Sequence, residues 1–221
     1  MSLSLMRVWL VACCLLAGSA WAESVAVASP AYGVVEDATA RVMAVVQEAD
    51  AYADKDPERY YGQIQEILDP VIDFRGFARS VMGPYASSER YRSLDEAGRE
   101  KLRDQLDRFS EVMRVGLVRT YGKGLLAFGG SRIEVVKPES DDSGEPRVSV
   151  RQLIYNDEPE PYVLLYQMGR DKSGAWKLRN VIIESVNLGE IYRNQFQDSA
   201  RRFDGDIDSV IDNWTTVEVE A

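Results

Sequence analysis

The sequence predicts an α+β fold in which helices come first and an antiparallel sheet follows. Two observations carry this: apolar residues recur at spacings of three or four from Val34 to Tyr121, and after Gly129 and Gly130 the apolar period drops to two. A third is the punctuation, because Asp-Pro pairs and glycines divide the first half while acidic, turn-rich loops divide the second.

Taken in order, VVEDATARVMAVVQEADAYA predicts a first helix from Val34 to about Ala53. Asp56 as cap and Pro57 at the first position open a second, which places Tyr60, Ile64 and Ile67 on one side and stops near Leu68. Asp69 and Pro70 repeat the signal for a third, PVIDFRGFARSVM, ended by Gly83 and Pro84. A capping box of Ser93 and Glu96 predicts the start of a long helix with Leu102, Leu106, Phe109, Met113, Leu117 and Tyr121 along one face, interrupted by Gly122 and Gly124. RIEVV, RVSVRQLIY, PYVLLYQM and AWKLRNVIIESV then read as four strands in meander order. The loops with Asp141, Asp142, Glu158 and Glu160 read as solvated, and two short helices, near Glu190 to Arg202 and Asp206 to Trp214, close the chain.

The first 22 residues read as a leader. Arg7 precedes the apolar run Val8 to Leu16, and Ala20-Trp21-Ala22 predicts cleavage before Glu23, leaving residues 23–221 as one domain. A lipoprotein box at Leu10-Val11-Ala12-Cys13 competes, but it falls too early to leave an apolar core before it. Both cysteines, Cys13 and Cys14, lie in this leader, so the mature chain relies on core burial and not on disulfides. Losing Arg7, the leader's sole charged residue, takes the net charge from −10 to −11. Such acidity argues against nucleic-acid binding and against adhesion to anionic lipid surfaces. The chain has no histidine and the mature part no cysteine, which removes Ser-His-Asp and Cys-His catalysis and imidazole or thiolate metal sites. No metal and no cofactor is expected.

The strands are apolar on both faces: Val148, Val150 and Ile154 oppose Leu153 and Tyr155, and Tyr162, Leu164, Tyr166 and Met168 oppose Val163 and Leu165. Either helices cover both faces or a ligand-filled cavity does. In the last strand, regular alternation puts Trp176, Leu178, Ile182 and Val186 on one face with Asn180 and Glu184, and Val181, Ile183 and Ser185 on the other. A carboxylate on an apolar face is expected to pair with an arginine. The rival is a general acid or base with a raised pKa, so an isomerase-like enzyme using tyrosine and carboxylate stays open.

Three stretches, LDPVIDFRGFARSVMG, RFSEVMRVGLVRTYGKGL and WKLRNVIIESVNLGEIYRNQF, occur in this order and resemble the MlaC family, the toluene-tolerance auxiliary proteins, from roughly Tyr60 to Trp214. The resemblance implies a non-enzymatic periplasmic phospholipid carrier that maintains outer-membrane asymmetry. Its implied partners are an outer-membrane lipoprotein and porin complex and an inner-membrane ABC transporter with an MCE-domain subunit. It implies a twisted NTF2-like or cystatin-like sheet wrapped by helices, with acyl chains in an apolar cavity between them. The expected lipid-binding residues are Phe74, Phe77, Met113, Leu117, Tyr121, Val150, Leu165, Val181, Ile183 and Val186. Two departures stand out: Asn180 replaces the family's aspartate, and ESVNL at Glu184–Leu188 replaces EGVSL, so Ser185 is expected to reshape the cavity. A periplasmic binding protein for another apolar ligand is the remaining alternative.

Overall fold

The computed structural model describes residues 30–126, 131–139, 144–156 and 159–216. The leader, Gly129, Gly130, Asp141, Asp142 and Glu158 lie outside them.

Helix α1 spans Pro30–Ala49, four residues earlier at each end than the periodicity suggests, with proline at its first position and hydrogen-bonded turns after Ala49. Helix α2, Pro57–Leu68, starts where Asp56 accepts from the Arg59 N–H. The second Asp-Pro pair does not repeat this. Asp69 closes α2, and α3, Phe74–Met82, is capped by Asp73, which accepts from the Gly76 N–H at 2.9 Å. The main chain of residues 71–73 instead pairs with the sheet: Leu178 N–H donates to Val71 and Asp73 N–H to Leu178. The Val71 carbonyl, taken by Leu178, is then not available to the Arg75 N–H as a helix starting at Pro70 requires.

Gly83, at φ +56°, ends α3 and leads through a 3-10 turn at Gly83–Ala86 into a short α4, Ser88–Ser93. Ser93 therefore ends a helix, and α5, Glu96–Leu126, is opened by Asp95, whose carboxylate accepts from the Gly98 N–H. Gly122 and Gly124 do not interrupt α5. Gly122 lets aromatic rings approach the helix: Tyr60 donates its hydroxyl to the Gly122 carbonyl at 2.8 Å, and a Cβ there would meet Tyr61 at 3.3 Å.

The sheet has five antiparallel strands and not four, ordered β1 Arg132–Val135, β2 Arg147–Tyr155, β3 Tyr162–Arg170, β4 Trp176–Ile183 and β5 Val186–Asn187. The extra strand arises because Glu184, at φ +55°, and Ser185 form a two-residue turn that pairs Ile183 with Val186. Helices α6, Leu188–Arg202, and α7, Ile207–Asp212, complete the fold.

One irregularity changes the faces of β4. Gln167 pairs with Asn180 and Met168 with Leu178, so Arg179 is an extra, bulged residue. Paired residues of antiparallel strands project to the same side. Trp176 and Leu178 therefore share a face with Val181, Ile183 and Val186, while Asn180 and Ile182 turn to the other. The bulged Arg179 forms an ion pair with Asp73, the cap of α3. The first of these faces carries Val150, Tyr166 and Met168 and packs against the helices. Leu153, Val163, Leu165 and Ile182, on the second, belong to none of the buried clusters and stay partly exposed.

Candidate functional site

Among the described residues, buried apolar side chains form three clusters instead of one continuous core. The largest joins α3, α5, α6 and α7 around Phe77, Phe109, Met113, Tyr192 and Phe196. The second joins α1, α2 and Phe74 of α3 to Val118 of α5. A third sets Ala31, Tyr32 and Val35 of α1 on Val150, Met168 and Trp176 of the sheet. A domain of this size ordinarily has one contiguous core, so the boundaries between clusters are seams in the packing.

Four expected residues lie at the margin of the first cluster. Leu117 touches both the first and second clusters, Tyr121 touches the first, and Val181 and Ile183 reach the first from the sheet; all four are only partly buried. Behind them Phe77 and Met113 are packed into the first cluster, Met113 with no exposure at all. Phe74 and Val150 lie in the second and third clusters. Val186 pairs with Ile183 at the end of the same face, and Leu165 projects from the opposite one, across from Ile182.

Residues that periodicity did not single out shape the same region. Tyr192, fully buried on α6, has its hydroxyl 3.2 Å from that of Tyr121. Burial first, and then that hydrogen bond, push its pKa upward, so it remains a neutral phenol. On the helix-facing side of β2, buried Gln152 donates to Thr39 of α1 at 2.7 Å and accepts from Tyr166 at 2.7 Å; burial raises the Tyr166 pKa too. The signal for Gln152 was present: it stands between Val150 and Ile154, where alternation asks for an apolar residue. Two hollows open elsewhere. One of about 450 Å³ is lined by residues of α3, the 3-10 turn and Arg193, and one of about 340 Å³ lies between α1 and β1, with Thr39, Met43, Ile133 and Val135 among its walls.

Glu184 is not on a buried apolar face and, among the described residues, forms no ion pair with an arginine. It is exposed in the β4–β5 turn, where its N–H donates to the Val163 carbonyl and its carboxylate accepts from the Val163 N–H at 2.6 Å. Ser185 is exposed beside it, so it reshapes a turn and no cavity wall. Among the described residues no three His, Cys, Asp or Glu side chains gather as a metal site. The margin of the first cluster thus offers partly buried hydrocarbon, with the Tyr121 hydroxyl engaged by that of Tyr192.

A sequence profile of the MlaC protein matches residues 36–216. The chain belongs to the MlaC family. A curated relative, toluene tolerance protein Ttg2D of Pseudomonas putida, is 29% identical over 183 residues, 83% of this chain and 79% of the relative. A solved phospholipid-binding protein from Ralstonia solanacearum, in complex with a phospholipid, superposes with a TM-score of 0.67 at 21% identity, over 82% of this chain and 93% of that one. In this MlaC-family chain Asn180 and Asn187 touch. The Asn180 amide donates to Gln167 and to Asn187, and its carbonyl oxygen accepts from the Gly189 N–H at 2.9 Å. An aspartate at 180 has no N–H to give Asn187, which itself caps α6 by accepting from Glu190.

Proposed function

We propose that this chain is a phospholipid carrier that holds acyl chains in the seam between the helices and the sheet. The observation that carries the reading is the group Leu117, Tyr121, Val181 and Ile183: apolar side chains that face inward yet remain incompletely buried against the largest cluster. The phospholipid in the Ralstonia solanacearum relative supports it. Sheltering a chain of about sixteen carbons is worth on the order of 10 kcal/mol at roughly 0.8 kcal/mol per methylene. A bilayer offers the same shelter, so a carrier seam has only to approach parity for lipid to move both ways. Headgroups then stay at the mouth in solvent, and no catalytic group is required.

The site of action in this reading is the periplasm, reached after cleavage before Glu23, with residues 23–221 forming one carrier domain. No described helix is long and apolar enough to cross a membrane. The partners are an outer-membrane lipoprotein and porin complex and an inner-membrane ABC transporter with an MCE-domain subunit, and the outcome is lipid asymmetry of the outer membrane. A strongly acidic shuttle that docks on proteins has little affinity for anionic bilayers by itself.

The test is phosphorus per protein after solvent extraction of protein purified from the periplasm, with circular dichroism as the folding control. Wild type should carry phospholipid. Ile183→Glu places a carboxylate against acyl chains, where desolvation costs several kcal/mol, so the folded variant should lose about nine-tenths of its lipid or more. Wild-type protein with no extractable lipid sinks the carrier reading. Mass spectrometry of the same sample should show Glu23 as the first residue, and an acylated Cys13 would select the lipoprotein box instead.

A further inference from the structure

The larger hollow is chemically unlike its surroundings. It lies on the side of α3 away from Phe77, and its walls are Gly76, Arg79, Ser80, Gly83, Pro84, Ala86, Ser87 and Arg193. In a chain where 36 acidic residues outnumber 26 basic ones, this lining holds two arginines and no carboxylate. Neighbouring arginines are neutralised, Arg75 by Asp107 and Arg179 by Asp73. Arg79 and Arg193 form no ion pair among the described residues.

Neutral acceptors hold both guanidiniums in place. Arg79 donates from Nε to the Ala86 carbonyl at 3.2 Å and from a terminal nitrogen to Ser88 Oγ at 2.6 Å. Arg193 donates from Nε to the Ser80 carbonyl at 3.0 Å and from a terminal nitrogen to Ser80 Oγ at 2.9 Å. Each arginine has five N–H donors, so two such bonds fix the fork and leave its charge and remaining donors available. The serine hydroxyls add to the set. Ser80 Oγ accepts from Arg193 and Ser87 Oγ from the Arg90 N–H, which leaves each hydroxyl proton to be donated. Glycines and small residues between them keep the floor open, and Gly83 sits at φ +56°, where a side chain is strained.

We propose that this hollow binds a phosphate group, with guanidinium forks from α3 and α6 and the hydroxyls of Ser80 and Ser87 as its donors. A carboxylate is satisfied by a single fork, whereas guanidinium and hydroxyl donors offered by separate elements around one hollow fit a tetrahedral oxyanion. The phosphate belongs either to a headgroup at a bilayer surface or to a soluble phosphate monoester. The site is separate from the seam, because none of Leu117, Tyr121, Val181 and Ile183 lines it.

The test titrates the mature chain with inorganic phosphate and with glycerol phosphate, observing the Gly83 amide and Arg193 Nε–H signals by NMR. Saturable shifts are expected, weakened about tenfold or more in Arg79→Gln/Arg193→Gln and unchanged in Arg202→Gln. Flotation with phosphatidylcholine vesicles separates the sources: retention lost in the double variant assigns a bilayer headgroup, and phosphate binding without retention assigns a soluble phosphate. Shifts that chloride reproduces at equal ionic strength, or that survive in the double variant, overturn the proposal. Extractable phospholipid in the folded double variant should match wild type, and its loss would overturn the separation from the seam. If wild-type protein carried no lipid, the carrier reading would fall while the phosphate titration still judged this site.

Discussion

From Leu102 to Met113 the apolar stripe of α5 is buried against α3, α6 and α7, whereas from Leu117 to Leu126 the same stripe is mostly half-buried. The first half is fastened twice. Phe109 meets Phe196 and Trp214 with ring centroids 5.0 Å away in each case, and Asp208 of α7 takes hydrogen bonds from Lys101, Gln105 and Arg108. The second half has Leu117 and Tyr121 at the seam, beside residues of the sheet that are equally incompletely covered. A periodic stripe therefore identifies a face but not its use: one half is packed into the fold, and the other is only partly covered, where the proposed carrier would take its ligand.

The largest expected effect lies in the fastened half. Phe109→Ala should lower stability by about 3–5 kcal/mol, measured by urea unfolding, because it removes a fully buried ring from three-way aromatic packing. In the open half Leu117→Ala, assayed on lipid-free protein, should cost less than the ~2–5 kcal/mol of a buried leucine. A loss in that full range would show that both halves are packed alike, and would break the comparison. A subtler effect concerns acid. Hydrogen bonds from Lys101 first, then from Gln105 and Arg108, hold the Asp208 carboxyl below its usual range against burial, which pushes it up. A depressed carboxyl contributes stability that is present above its unfolded pKa of about 3.9 and lost as pH falls through the lower folded value. Asp208→Asn should therefore weaken the protein at neutral pH and flatten its stability profile below about pH 4. An unchanged acid profile would remove Asp208 from the fastening.

Much of this was legible in the residues. Asp56-Pro57 marked the start of α2 and RVSVRQLIY the bounds of β2, because caps and alternation are local signals. Asp69-Pro70 misled because the competing partner of that backbone, Leu178, lies more than a hundred residues away. The β4–β5 turn was hidden for a similar reason: Glu184 takes a left-handed conformation without glycine, and its carboxylate is held by the main chain of β3. Of the seam, residue type identified hydrophobic candidates. Which of them meet depends on tertiary packing, as Leu165 and Ile183 illustrate by facing opposite ways.

The bulge at Arg179 acts as a half-period phase shift in a two-residue wave. Within β4 every residue after it has opposite parity to what counting from Trp176 gives, and Val181 and Ile183 owe their inward direction to that one insertion. Deleting Arg179 would thus be read far downstream as an inversion: both apolar side chains would turn outward, and Asn180 would turn away from the Gly189 N–H that anchors α6. A single residue of chain length thereby sets which side of β4 faces the helices.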